Sequence, residues 1–220
     1  MPVSRRNLLT GLAATAALAG LGPDRAFAAA LAEAAPRVPV TQLWLRRDST
    51  GEEVSAIVRA GADYARADLL LLSWLLRDVS DESAAVWIDP ALFDLLASVQ
   101  AALSAVHGAV LPLVVTSGYR TRRHNDRLEG AARSSLHLRG QASDLKVPGY
   151  DAGAVALAGA LFRRGGVGIY PGFCHLDIGH TRVWTGGVKP APPAGLVPGT
   201  PLPSPPPASP APPSPLQEPT

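Results

Sequence analysis

Three side chains that can bind a metal ion stand out from the rest of this sequence. His137 and Asp144 are separated by six residues in the stretch Ser-Leu-His-Leu-Arg-Gly-Gln-Ala-Ser-Asp, and His175 follows in Phe-Cys-His-Leu-Asp. Two imidazoles and one carboxylate hold a zinc ion while leaving its fourth coordination position open, as a catalytic zinc ion requires. If these side chains converge, the sequence predicts a metallohydrolase.

Two predicted strands must bring these ligands together. The turn after His137 contains a glycine, and residues 142–147 then alternate in the manner of a strand with Asp144 on one face. His175 lies on a second predicted strand, residues 173–178. Because neighbouring strands lie about 4.8 Å apart, side chains on one face of adjacent strands can share an ion.

Residues 38–189 have the length of one domain, and this domain must position the site. The helix predictions are a Thr50–Glu53 capping box opening a helix through Ala62, a core helix over 69–76, a helix from Asp89-Pro90 to Gly108, and one from Asp151 to Gly165-Gly166. The strand predictions are 113–115, 142–147 and a meander of 167–170, 173–178 and 182–184. Helices come first and hairpin-linked strands last. We therefore expect an α+β fold, with N-terminal helices packed on a mainly antiparallel sheet that carries the zinc site.

Residues 1–28 are predicted to be a twin-arginine signal peptide. Arg5-Arg6 precedes an apolar run, residues 8–22, that is too short and too rich in alanine and glycine for a membrane span. Ala26-Phe27-Ala28 supplies the small residues of a cleavage site. We expect export to the periplasm or another extracytoplasmic space, with no stable membrane span after signal removal. A chance arginine pair in an ordinary signal, or an uncleaved anchor, is the alternative.

Charge and composition restrict the partners. The formal charge is +2, and residues 1–28 contain three arginines and one aspartate, so the chain without them is neutral. No basic run remains to follow a phosphate backbone, which argues against nucleic acid as a partner.

Residues 190–220 are rich in proline and are predicted to be a disordered tail that acts as a spacer or docking strip, or has no specific partner. We expect a monomer.

Cys174 is the only cysteine in the chain, so no internal disulfide can form. It could instead be a nucleophile, which requires it to reach a histidine. Side chains alternate between the faces of a strand, so Cys174 and Leu176 should point into the core, away from His175 and Asp177. The sequence therefore favours a buried structural thiol.

The motif Ser-x-His-x-x-Gly-x-Ala-x-Asp at 135–144, followed by aromatic-x-His-x-Asp at 173–177, resembles the zinc peptidases of the D-Ala-D-Ala metallopeptidase superfamily. The resemblance covers residues 43–184 and is nearer to the twin-arginine-exported, YcbK-like murein endopeptidases. The features of that nearer resemblance are Leu75-Leu76-Arg77-Asp78, Ser117-Gly118-Tyr119-Arg120-Thr121, Asn125, Gly165-Gly166-Val167-Gly168-x-Tyr170 and Arg182-x-Trp184. It implies one zinc ion per chain at His137, Asp144 and His175, and peptidoglycan stem peptides or crosslinks as substrate.

The resemblance also suggests roles for other residues. Gly172 stands where the dipeptidase branch keeps a glutamate as general base, so Asp177 either deprotonates the attacking water or orients an imidazole. Arg120 would stabilise the oxyanion or hold a carboxylate of the stem peptide, unless it forms a structural ion pair. Ser135 would hydrogen-bond substrate or cap a turn, and Tyr119 would line the groove or join the core.

We therefore expect a zinc metallopeptidase of the murein endopeptidase or D,D-carboxypeptidase type that remodels the cell wall. The alternative is a zinc-bearing cell-wall binding module without catalytic activity, because a fold alone does not establish chemistry.

Overall fold

The computed structural model describes residues 22–186. Most of the predicted signal peptide and the whole proline-rich tail lie outside these residues. The expected cleavage position after Ala28 falls within the first described helix, α1 (Pro23–Ala34). In that helix Leu31 is buried, and the ring of Phe27 lies 5.7 Å from that of Tyr150.

The described residues form an α+β fold, which confirms the predicted class. The remaining helices are α2 (Arg66–Leu75), α3 (Pro90–His107), α4 (Arg122–Asn125), a 3₁₀-helix (Leu136–Arg139) and α5 (Ala152–Leu161). The strands are β1 (Gln42–Arg47), β2 (Glu53–Ile57), β3 (Arg59–Ala60), β4 (Asp63–Tyr64), β5 (Leu113–Ser117), β6 (Ala142–Lys146), β7 (Gly166–Tyr170), β8 (Phe173–Asp177) and β9 (Arg182–Thr185). Seven strands form one mixed, mostly antiparallel sheet in the order β2-β1-β5-β6-β8-β7-β9, and β3 and β4 form a separate hairpin.

The last three strands do not form the predicted meander. β7 and β8 are an antiparallel hairpin, but β9 pairs in parallel with β7. The reason is that β6 already occupies the other edge of β8, so no edge of β8 is left for β9. The alternating pattern of a strand carries no information about which edge is free.

The helix predicted from the Thr50–Glu53 capping box is also wrong. Thr50 donates to Glu52 across 2.6 Å inside a turn, and Gly51 has a φ of 72°. The chain then continues as β2, antiparallel to β1, with Val54 opposite Leu45. A β-branched residue packs well on a pleated sheet, and here the pairing with β1 overrides the local helix signal.

The other helix boundaries follow local signals. The carboxylate of Asp89 accepts the amide of Ala91 at the start of α3, and Gly108 ends that helix with a left-handed φ of 84°. Asp151 caps α5 in the same way, but α5 ends at Leu161, before the glycine pair that was expected to close it. Among the described residues, α3 alone has the length and apolar composition to cross a membrane; ten of its residues are buried in the core.

One face of the sheet packs against the core helices, and the other carries the candidate metal ligands. Helices α3 and α5 pack on one face, where Leu145 and Cys174 belong to the hydrophobic core. The neighbouring residues in β6 and β8 therefore point to the opposite face. This second face carries Asp144, His175 and Asp177, with Asp144 directly opposite His175 in the antiparallel pair.

Candidate metal centre

The three predicted metal ligands converge. His137 Nε2 lies 3.2 Å from Asp144 Oδ1 and 3.1 Å from His175 Nδ1, and the latter two atoms are 2.8 Å apart. Ligand atoms around a tetrahedral zinc ion, at about 2.0–2.1 Å from it, are separated by roughly 3.3 Å. The observed separations are close to that spacing, so these side chains fit a zinc ion.

The 3₁₀-helix between α4 and β6 fixes His137. Ser135 caps this helix, with its hydroxyl accepting the amide of His137 at 3.4 Å, and Gly140 ends it with a left-handed φ of 65°. His137 Nδ1 lies 2.6 Å from the carbonyl oxygen of Gly118. A carbonyl only accepts, so Nδ1 carries the proton and the lone pair of Nε2 faces the other two ligands.

Gly118 can lie against the backbone of Leu76 because it has no side chain. A Cβ at this position would overlap the backbone carbonyl of Leu76, whose oxygen accepts the amide of Tyr119 at 2.7 Å. The tight approach of this loop to the end of α2 sets the position of the carbonyl that orients His137.

His175 is fixed from its far side. Its Nε2 lies 3.1 Å from Asp177 Oδ2, so that nitrogen donates and the lone pair of Nδ1 faces the site. Asp177 is fully buried and also accepts the amides of Gly166 and Gly179 at 2.9 and 2.8 Å and Arg182 Nη2 at 2.7 Å. Burial opposes ionisation, but these hydrogen bonds outweigh it and lower the pKa of Asp177 to about 2.

Arg120 contacts the site through Asp144. Its Nη2 pairs with Asp144 Oδ2, the oxygen that does not face the imidazoles, and its Nε donates to Ser117 Oγ at 2.8 Å. Arg120 therefore forms an ion pair, the alternative to its expected role towards substrate, and its partner is a predicted metal ligand.

The charges suit a cation. Burial lowers the pKa of His137 against an opposing effect of Asp144. Burial would raise the pKa of Asp144, but the two imidazoles and Arg120 lower it well below its usual range. Burial would lower the pKa of His175, but its hydrogen bonds to Asp144 and Asp177 raise it. When both imidazoles are neutral, the clustered atoms of His137, Asp144 and His175 are all hydrogen-bond acceptors, and a metal cation can bind between them.

The site is narrow. His137 is 1% exposed, Asp144 4% and His175 9%, so access is greatest beside His175. The half-buried ring of Trp184 lies 5.3 Å from the ring of His175, and its Nε1 donates to the hydroxyl of Tyr170 at 3.0 Å. Aromatic side chains thus border the open side of the cluster.

The chain matches a peptidase family. Residues 35–184 match the family Peptidase_M15_2, described as peptidoglycan L,D-endopeptidase MepK. The peptidoglycan L,D-endopeptidase MepK of Escherichia coli K12 is 35% identical over 187 residues, which is 82% of this chain and 97% of that protein. The protein of the same name from Shigella flexneri gives the same values. This chain belongs to the MepK family of peptidases.

A further relative agrees with this membership. The probable peptidoglycan L,D-endopeptidase MepK of Haemophilus influenzae is 32% identical over 152 residues, covering 66% of this chain and 78% of that protein. The resemblance inferred from the sequence motifs to a murein endopeptidase branch is therefore confirmed.

The remaining residues that the sequence singled out in this family member contact the core or a helix end. Tyr119 is half-buried and packs against the hydrophobic core, and Ser135 caps the helix of His137. Cys174 is fully buried, as predicted, and burial raises the pKa of its thiol. Sequence reasoning gave no role to Arg182 or to the carbonyl of Gly118, because neither contact is visible without the fold.

Proposed function

We propose that this chain is a zinc-dependent peptidase that hydrolyses L,D amide bonds in peptidoglycan, outside the cytoplasm. The observation that carries the proposal is the cluster of acceptor atoms from His137, Asp144 and His175, found in a chain of the MepK family. The relatives' name supplies the substrate and the bond.

The chain's own residues would hold the ion and keep its ligands aimed. His137 Nε2, Asp144 Oδ1 and His175 Nδ1 would bind one zinc ion. When bound, zinc acts as a Lewis acid that polarises the scissile carbonyl and makes a water molecule more acidic. The carbonyl of Gly118 and the carboxylate of Asp177 hold the two imidazoles in the tautomers that this task requires.

We assign orienting roles to Asp177 and Arg120. Asp177 contacts the nitrogen of His175 that points away from the cluster, and its five hydrogen bonds occupy both carboxylate oxygens, so neither is free to accept a proton from a water at the cluster. Arg120 holds Asp144 so that Oδ1 faces the imidazoles. Ser135 holds the amide of His137, and Tyr119 supports the loop from the core side.

The location follows from the substrate. Peptidoglycan lies outside the cytoplasmic membrane, and residues 1–28 have the order of a twin-arginine signal: paired arginines, an apolar run and small residues. Export by that route would let the domain fold before it crosses the membrane. The proline-rich segment 190–220 would then be a spacer at the wall.

Digestion of purified peptidoglycan tests the proposal. The mature protein with zinc should release fragments cut at L,D amides, identified by mass spectrometry, and Asp144→Asn should release none. Asp63→Asn, an exposed exchange in the β3–β4 hairpin, is the matched control. Release of a terminal D-alanine would identify the D,D-carboxypeptidase type instead, and cleavage of D,D crosslinks would identify a D,D-endopeptidase. Binding to peptidoglycan with an unchanged fragment profile would identify a non-catalytic binding module.

A further inference from the structure

A cavity of about 390 Å³ lies beside the metal centre and has no role in the proposed chemistry so far. Its walls include the aliphatic and aromatic side chains of Val114, Tyr150 and Phe173. Its charged residues are two cations and two carboxylates: Arg46, Lys146, Asp48 and Asp151. The cavity therefore combines an apolar wall with charges of both signs, and the pairing of those charges decides which ligand it suits.

One wall of the cavity is formed by side chains on the face of the sheet that carries the metal centre, and the rest by Leu145, the turn after β6 and the start of α5. Lys146 is two residues beyond Asp144 in β6, and Phe173 is two residues before His175 in β8, so all four side chains share one face. Lys146 in β6 is opposite Val114 in β5, and Val114 is opposite Arg46 in β1.

The distance from the metal centre is short. Two residues along a strand cover about 7 Å and two strand spacings about 10 Å, so the backbone of Arg46 is roughly 12 Å from that of Asp144. An extended peptide residue spans about 3.5 Å, and an arginine side chain bridges part of the gap. A side arm of a residue close to the scissile bond can therefore reach the cavity.

Arg46 is the cation of this cavity that has no carboxylate partner among residues 22–186. Lys146 Nζ is 2.9 Å from Asp48 Oδ2, and Asp151 accepts the amide of Ala154 at the start of α5. Arg46 is half-buried, and its guanidinium forms no hydrogen bond or ion pair among residues 22–186.

Its cross-strand neighbour does not neutralise it. Glu53, which is opposite Arg46 in β2, directs its carboxylate to the indole of Trp44 instead. A partly desolvated guanidinium without a partner is costly to maintain, so it marks a place for an anion.

We propose that this cavity is a substrate subsite that binds a free carboxylate on an aliphatic side arm of the stem peptide, with Arg46 as the residue that recognises it. The guanidinium presents two parallel donors to a carboxylate, and the apolar wall covers the methylene groups of the arm. This inference rests on the proposed function and names the part of peptidoglycan that the enzyme reads next to the cut bond.

The test uses two crosslinked stem-peptide dimers that differ only in the side-arm carboxylate of diaminopimelate, free in one and a carboxamide in the other. A charged hydrogen-bonded pair contributes about 1.5–3 kcal/mol, so kcat/KM should favour the free acid by roughly 10- to 100-fold. Arg46→Met should remove this preference by weakening only the free acid, and Arg46→Lys should restore part of it.

Arg37→Met is the matched control. Arg37 is exposed between α1 and β1 and lines a different cavity, so its loss should leave the preference unchanged. Equal kcat/KM values for both dimers in the wild type, or an Arg46→Met variant that keeps the preference, would overturn the inference.

A binding measurement distinguishes failure of the subsite from failure of the proposed function. Calorimetric titration of the chelator-treated protein with each dimer should give the same preference without turnover. If neither dimer is cleaved but the free acid binds more tightly through Arg46, the proposed function fails and the subsite stands. If both are cleaved and bound equally, the subsite fails and the proposed function stands.

Discussion

Asp177→Asn distinguishes an orienting carboxylate from a general base. Asp177 is fully buried and accepts five hydrogen bonds: one each from the amides of Gly166 and Gly179, one from His175 and two from Arg182. Asparagine keeps the shape of the side chain but removes the charge and replaces one acceptor oxygen by a donor. At least two of the five donor groups must then lose their acceptor.

The expected magnitude follows from these contacts. Loss of the carboxylate that orients a metal-binding histidine typically weakens metal binding by about 10- to 100-fold. That factor corresponds to about 1.4–2.7 kcal/mol, within the usual range for a hydrogen bond to a charged group. Asp177→Asn should therefore raise the Kd for zinc by this factor, and saturating zinc should restore kcat to within about tenfold of the wild type.

The assay is a competition titration with a chromophoric zinc chelator, followed by rate measurements at increasing free zinc. Asp63→Asn, on the exposed hairpin, should match the wild type in both. An unchanged zinc affinity, together with a kcat about 100- to 10,000-fold lower at saturating zinc, would make Asp177 the general base and refute the orienting role.

Three further predictions concern the surroundings of the site and the core. Arg120→Met should lower kcat/KM on peptidoglycan fragments by roughly 10- to 100-fold, because Asp144 loses a charged partner, and an unchanged rate would contradict this. Gly118→Ala should lower the Tm by roughly 2 to 12 °C in calorimetry, since the new Cβ overlaps Leu76, and an unshifted Tm would refute the close packing. Asp94 in α3 pairs with Arg59 at 2.7 Å and accepts the hydroxyl of Tyr64 at 2.7 Å. Burial would raise the pKa of Asp94, but these hydrogen bonds lower it, so its stabilising effect is present above about pH 4 and is lost as the pH falls further. Asp94→Asn should flatten the acid side of the curve of unfolding free energy against pH, and an equally steep curve would count against that ion pair.

Capping residues and glycines in the sequence predicted the helices whose ends depend only on residues close by in the chain. The cap at Asp89 and the glycine at Gly108 define α3 because both act on backbone groups within one helical turn. The same kind of signal failed at Glu53, where pairing with β1 decides the outcome. The parallel position of β9 was equally invisible, because it depends on β6 having taken the edge of β8.

The convergence of the candidate ligands was predictable because residue type and strand alternation together restrict which side chains can meet. Asp144 and His175 share a face of adjacent strands, as the alternation of their segments indicated. The partners that aim these ligands were not predictable. The carbonyl of Gly118 and the guanidinium of Arg182 come from other parts of the chain, and only the packed fold brings them to the imidazoles and to Asp177.

Zinc content is the most direct test of the metal centre. Mass spectrometric metal analysis of the purified protein should find about one zinc ion per chain, and His137→Ala and Asp144→Asn should each lose it while Asp63→Asn keeps it. Stoichiometric zinc in both ligand variants, or none in the wild type after purification with zinc present, would contradict a zinc ion held by His137, Asp144 and His175.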